Sequence, residues 1–94
     1  MDASAEISRL IEESRALERG GRIPAAIHRA VQARQLAQAG ADTESEAAAL
    51  NALAYAHIRL GHYPQAVAFS QAALALAGPE SRARAEALLN INIC

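Results

Sequence analysis

Lysine and tryptophan are missing from this 94-residue chain, which carries only two valines, one threonine, one cysteine and three aromatic residues, Tyr55, Tyr63 and Phe69. Each scarcity excludes something. A sheet domain is built from β-branched and aromatic side chains, and too few are present to furnish one. A single Cys94 rules out an internal disulfide framework and a cysteine metal cluster. There is no basic excess either: nine arginines face ten acidic residues, for a net charge of −1 and a pI near 6.3. A chain that grips polyanions needs the opposite balance, so no direct nucleic-acid partner is expected. The charge-free stretch from Leu60 to Gly78 is interrupted by Gly61, His62, Pro64, Gln65 and Gln71 and does not read as a membrane span. The first fifteen residues are charged throughout and hold no apolar core of a secretory signal. The expectation is a single cytoplasmic domain with no membrane association.

What is abundant is alanine. The chain is 52% hydrophobic, and alanine makes up half of that share, so much of what folding buries is methyl groups. Alanine is the strongest helix former, and it is small enough to let helix axes approach closely. The fold class is therefore all-α.

Glycine and proline punctuate the alanine. Gly20-Gly21 with Pro24, Gly40 with Asp42, Gly61 with Pro64, and Gly78-Pro79 separate five segments of helical length, 4–19, 23–39, 43–60, 63–77 and 80–93. Pro24 and Pro64 each fall in a first helical turn, where a missing amide donor costs little. Thr43 and Glu46 have the spacing of a capping box. Gly78 suits a left-handed residue closing the fourth helix, with Pro79 blocking its continuation. The short connections imply antiparallel neighbours.

The chain also repeats itself. Gly21-Arg-Ile-Pro24-Ala-Ala26-Ile27 aligns with Gly61-His-Tyr-Pro64-Gln-Ala66-Val67 at an offset of 40, and the same offset pairs Leu10 with Leu50, Ala33 with Ala73, and Leu36 with Leu76. Ala49-Leu50-Asn51-Ala52-Leu53 realigns with Ala87-Leu88-Leu89-Asn90-Ile91 at an offset of 38. This predicts a helical-hairpin repeat, with units at about 4–40 and 43–79 and a partial third at about 80–94.

Leu50, Leu53, Ala54, Gly61, Tyr63, Ala66 and Ala73 resemble the pattern of the tetratricopeptide repeat (TPR) family. The pattern sets a large residue, a Leu and a small residue on helix A, then a Gly-x-Tyr turn, then two alanines on helix B. His57 and Ser70 depart from it, standing where Tyr and an aromatic are common, and the period exceeds the usual unit of about 34 residues. Longer units of this sort resemble those of bacterial signalling proteins and transcriptional regulators. The resemblance implies a superhelix of two hairpins plus a fifth helix, with Ala26, Ala54 and Ala66 at the helix crossings. It implies a non-catalytic protein–protein interaction module, the regulatory or sensory segment of a larger protein. It also implies a concave face along the A helices that receives a protein or peptide partner. On that face fall Ser8, Ile11, Glu12, Arg15 and Arg19, then Ala48, Asn51, Ala52, Tyr55 and Arg59, then Glu86, Asn90 and Ile93. Arg15, Asn51, Tyr55, Arg59 and Asn90 are the candidate binding residues: the asparagines for an extended backbone, Tyr55 for stacking, the arginines for a carboxylate. Arg15 could instead pair with Glu12 or Glu18 on its own helix. Ile11 and Arg15 stand where the carboxylate clamp of some family members has Lys and Asn, which argues against that specialised role.

Nothing in the sequence points to catalysis. No HExxH, no phosphate loop and no nucleophile–base arrangement is present. Glu12 and Glu13 project about 100° apart on a helix. His57 and His62 straddle a turn where they could meet, but two histidines make an incomplete metal site, and packing or surface roles are expected for both. His28 is expected in solvent. No enzyme activity, metal or cofactor is assigned.

Helices 4 and 5 carry unusual faces. From Pro64 to Ala77 there is no charge, and Phe69 falls away from the expected core. Leu88, Leu89, Ile91 and Ile93 are apolar nearly all round helix 5, where a repeat array ordinarily ends in a polar cap. Either the chain belongs to a longer TPR protein, with Cys94 buried in the parent, or Phe69, Leu89 and Ile93 form a homodimer surface. Arg22, Arg29 and Arg34 on helix 2 are expected to pair with the acidic residues of helix 1 and of the start of helix 3.

Overall fold

A computed structural model describes residues 3–94. The chain is all-helical, with α1 (Ala3–Arg19), α2 (Ile23–Ala39), α3 (Thr43–Arg59), α4 (Tyr63–Leu76) and α5 (Arg82–Ile93). Consecutive helices pack pairwise, most extensively within the hairpins α1–α2 and α3–α4. The odd helices also touch in series, α1 on α3 and α3 on α5, whereas α2 and α4 do not meet. The result is a slab two helices thick, 37 × 30 × 17 Å.

The first three turns are built alike. In each, the last helical turn closes with one bond from a residue to the carbonyl five before it: Arg22 to Leu17, Asp42 to Ala37, His62 to His57, each at 2.9 Å. A second bond runs from the preceding amide to the carbonyl three before it: Gly21 to Glu18, Ala41 to Gln38, Gly61 to Ile58. This is the Schellman arrangement, which requires a left-handed residue between the two helices. Gly21 and Gly61 supply it at φ 79° and 75°, and Ala41 adopts it at φ 53° with a Cβ that makes the conformation costly. Positions 21, 41 and 61 set these turns at even intervals along the chain.

The fourth junction breaks this cadence. α2 runs to Ala39, but α4 stops at Leu76, short of the corresponding position 79. Position 79 is proline, which has no amide to donate and disfavours a helical residue before it. That residue is Gly78, which is not left-handed, contrary to the expectation from its sequence, and Ala77 before it is already extended, at φ −76° and ψ 143°. The Gly78 amide instead donates to Glu44 Oε1 at 2.8 Å, fastening this connection to the start of α3. α5 begins later than its pattern suggested, at Arg82, with the Ser81 hydroxyl accepting from the Arg84 amide at 3.1 Å.

The cap of α3 also shifts by one residue. Asp42, not Thr43, is the N-cap: its carboxylate accepts from the Ser45 amide at 3.1 Å and from the Ser45 hydroxyl at 2.7 Å. An ionised acceptor serves the exposed amides better than a hydroxyl does, and it also complements the positive end of the helix. Those bonds from Ser45 hold the Asp42 carboxyl below its ordinary value of 3.8.

α3 touches all four other helices and is buried nearly all round, at Ala47, Ala49, Leu50, Asn51, Ala52, Leu53, Ala54 and Ala56. Leu50, Leu53, Ala47 and Ala52 centre one apolar cluster with Ala73, Ala83 and Ala87, against which Phe69, Leu74 and Leu76 pack. Ile7, Leu10, Ala33, Ala37 and Ala49 form a second under the first hairpin. Ala26 and Ala66 are fully buried, as the crossing positions of two hairpins require. Of the three arginines expected to pair, Arg29 pairs with Glu13 at 3.4 Å and Arg34 with Glu46 at 3.6 Å, whereas Arg22, the residue before α2, has no ion-pair partner among the described residues.

Candidate functional site

The row of odd helices leaves an open face with two adjoining recesses. Ile11 of α1 and Ala48 of α3 line both. The larger, about 530 Å³, is completed by Arg15, Arg19, Arg82 and Glu86, so that α1, α3 and α5 all contribute. The smaller, about 320 Å³, is completed by Ser8, Glu12, Glu44 and Ser45. Ala48 makes this possible: a small residue on the middle helix leaves a trough between the longer side chains on either side.

The trough is electrically lopsided. In the larger recess Arg15 is ion-paired with Glu86, whereas Arg19 and Arg82 have no ion-pair partner among the described residues. One guanidinium is balanced and two are not. In the smaller recess Glu12 has no ion-pair partner among the described residues, and Glu44 is engaged only by the Gly78 amide. A positive end and a negative end therefore lie in one trough, separated by the apolar Ile11 and Ala48.

The five candidate binding residues have different fates. Arg15 lines the larger recess and pairs across helices with Glu86, not within α1. Arg59 is taken up by Glu18, whose side chain is only 9% exposed, and donates also to the Glu18 carbonyl at 3.3 Å. Asn51 is fully buried and its Nδ2 donates to the Ala83 carbonyl at 2.8 Å, so it ties α3 to α5 and does not face an incoming backbone. Asn90 is buried as well, its Nδ2 without a partner. Tyr55 is half-buried and lines neither recess. Asn51 and Asn90 do not line the groove, because Asn51 lies on the face of α3 that packs on α5 and Asn90 shares the buried face of α5 with Ala83 and Ala87.

Arg82, Glu44 and Ser45 were not among the expected groove residues. Arg82 had a signal: it precedes Glu86 by four residues and so shares its helical face. Of the three assembly candidates, Phe69 is half-buried against the central cluster and stacks on His57 at 5.4 Å. Leu89 and Ile93 are exposed, at 60% and 49%, and Leu88 joins them. Cys94 is exposed too.

His57 and His62 do meet, Nδ1 to Nδ1 at 3.3 Å. Burial pushes the His57 imidazole below its ordinary value, and the neighbouring His62 adds to the shift. His28 is exposed. Among the described residues, no helix is long and apolar enough to cross a membrane. No family model, no curated protein and no solved structure matches this chain.

Proposed function

We propose that the chain is a TPR-type, non-catalytic interaction module that receives an extended peptide in the trough along α1, α3 and α5. The observation that carries this reading is the unbalanced pair Arg19 and Arg82 in a recess of about 530 Å³, with carboxylates at the other end of the same trough. A partner with an acidic residue or a terminal carboxylate at one end and a basic residue a few positions away matches both ends. The resemblance to longer-period repeats supports a setting in the cytoplasmic regulatory segment of a larger bacterial signalling or transcription protein.

The test is fluorescence anisotropy with labelled peptides of three kinds: acidic, basic, and acidic at one end with basic at the other. The mixed peptide is expected to bind best, more weakly as salt rises, and to lose affinity in the Arg19→Ala/Arg82→Ala double variant. Equal binding of all three, or no effect of the double variant, would sink the groove reading. A second reading, homodimerisation through α5, is favoured by the exposed Leu88, Leu89 and Ile93. Light scattering on the reduced chain over a concentration series decides it: a dimer abolished by Leu89→Glu/Ile93→Glu supports that surface, and a monomer throughout excludes it.

A further inference from the structure

The third turn of the molecule brings together two side chains of a kind found at neither of the other turns. His57 and His62 are the first and last residues of its Schellman loop, joined by the 2.9 Å bond from the His62 amide to the His57 carbonyl. The side chains at these two positions commonly make an apolar contact that completes the motif. The corresponding pairs here are Leu17 with Arg22 and Ala37 with Asp42. At the third turn two imidazoles occupy them, and the backbone closure itself sets their separation.

The geometry is specific. The Nδ1 atoms lie 3.3 Å apart while the ring centroids lie 5.5 Å apart, so the rings meet through their nitrogen-bearing edges and not their faces. For a direct hydrogen bond that separation is long. For two imidazole nitrogens on one tetrahedral ion, each at roughly 2.0–2.1 Å, the expected separation is about 3.3–3.4 Å. His57 is held in place by Phe69, which stacks on its ring at 26° between planes, and His62 is exposed at the head of α4.

We infer that His57 and His62 form a two-imidazole chelate for a divalent cation of the zinc and nickel class, bound between their Nδ1 atoms. Imidazole suits these ions, whereas magnesium and calcium prefer oxygen. No group of three or more His, Cys, Asp or Glu side chains that could hold a metal ion occurs among the described residues. The ion therefore keeps water at its remaining positions, and the site is weaker than a four-ligand structural site.

The experiment is calorimetric titration of the untagged full chain with Zn²⁺, followed by NMR of the histidine ring protons. One saturable site is expected, with ring resonances of His57 and His62 perturbed and those of His28 unmoved. His62→Ala, on an exposed turn where folding is not at stake, should weaken binding by at least about tenfold, the lower end of what even indirect changes around a metal cost. His28→Ala should leave it unchanged. No saturable binding up to roughly 1 mM, binding indifferent to His62→Ala, or perturbation centred on His28 would each overturn the assignment.

Discussion

The two hairpins, Ala3–Ala39 and Thr43–Leu76, share a backbone pattern in which Gly61 answers to Gly21, yet their interiors are polar in different ways. In the first, Ser14 stands at the crossing and donates its hydroxyl to the Ala26 carbonyl at 2.7 Å. In the second, the corresponding residue is Ala54, and a serine appears instead at position 70, where the first hairpin has Ala30. Ser70 is fully buried and its hydroxyl has no partner. Outside, α2 wears paired arginines, whereas α4 carries no charge. The comparison separates what the repeat demands from what it tolerates. Both hairpins need an alanine at the crossing and a left-handed closure; the polar residue beside them is free to be useful or merely endured.

The sharpest break of the equivalence should come from the leucines. Leu50 lies on the helix that touches all others, whereas its counterpart Leu10 lies in the smaller cluster at the edge. Leu50→Ala should cost about 2–5 kcal/mol by urea unfolding, and Leu10→Ala should fall at or below the lower end of that range. Equal losses would mean the two clusters fold as one core without a centre.

The serines should differ in sign. Ser14→Ala removes a satisfied hydrogen bond and should destabilise by about 1 kcal/mol. Ser70→Ala removes a buried orphan hydroxyl and should be neutral or stabilising by up to about 1 kcal/mol. A destabilising Ser70→Ala would show that its hydroxyl has a partner in solution.

Caps distinguish α3 and α5 from α2 and α4. The first two have side-chain caps, whereas α2 and α4 carry a proline in the first turn and no side-chain cap bond. Asp42→Ala should cost about 1 kcal/mol near neutral pH. The Asp42 pKa is lowered on folding, so its contribution is complete above the ordinary value of 3.8 and is lost as pH falls through the folded value. Thermal melts of wild type and variant should therefore converge in acid; a gap that persists below this range would assign the loss to something other than the charge.

The smallest effect concerns the turns. Ala41 is the one left-handed non-glycine residue among those described, between Gly21 and Gly61. Ala41→Gly should stabilise by about 0.5–1 kcal/mol, the relief of the left-handed penalty less the added freedom of the unfolded chain. Gly61→Ala should cost about as much, and through torsion alone, since nothing lies within 4 Å of the added Cβ.

Helix number, order and most boundaries were legible because glycine and proline act locally, within one turn of where they stand. The cap was misplaced because Asp42 and Thr43 are adjacent and both can cap; only the bonds to Ser45 decide between them. Gly78 deceived because its neighbour Pro79 governs the backbone there. The candidate site was less legible. Arg15 meets Glu86 and Arg59 meets Glu18, each pair far apart along the chain, and no local pattern encodes such pairings. Asn51 was placed on the groove by the register of the TPR resemblance; its side chain lies instead at the seam between α3 and α5, where the amide donates to the Ala83 carbonyl.

The even spacing of the first three turns also bears on how quickly the chain reaches this structure. Each of those turns is closed by bonds reaching back no more than five residues, and helices meet only neighbours or next-but-one neighbours along the chain. The search therefore involves little long-range loop closure, and folding in the microsecond-to-millisecond range follows, with either hairpin able to serve as the nucleus. The slowest joint should be the irregular one at Gly78-Pro79, where α5 must find its seat on α3 and α4 without a turn of the common pattern to deliver it.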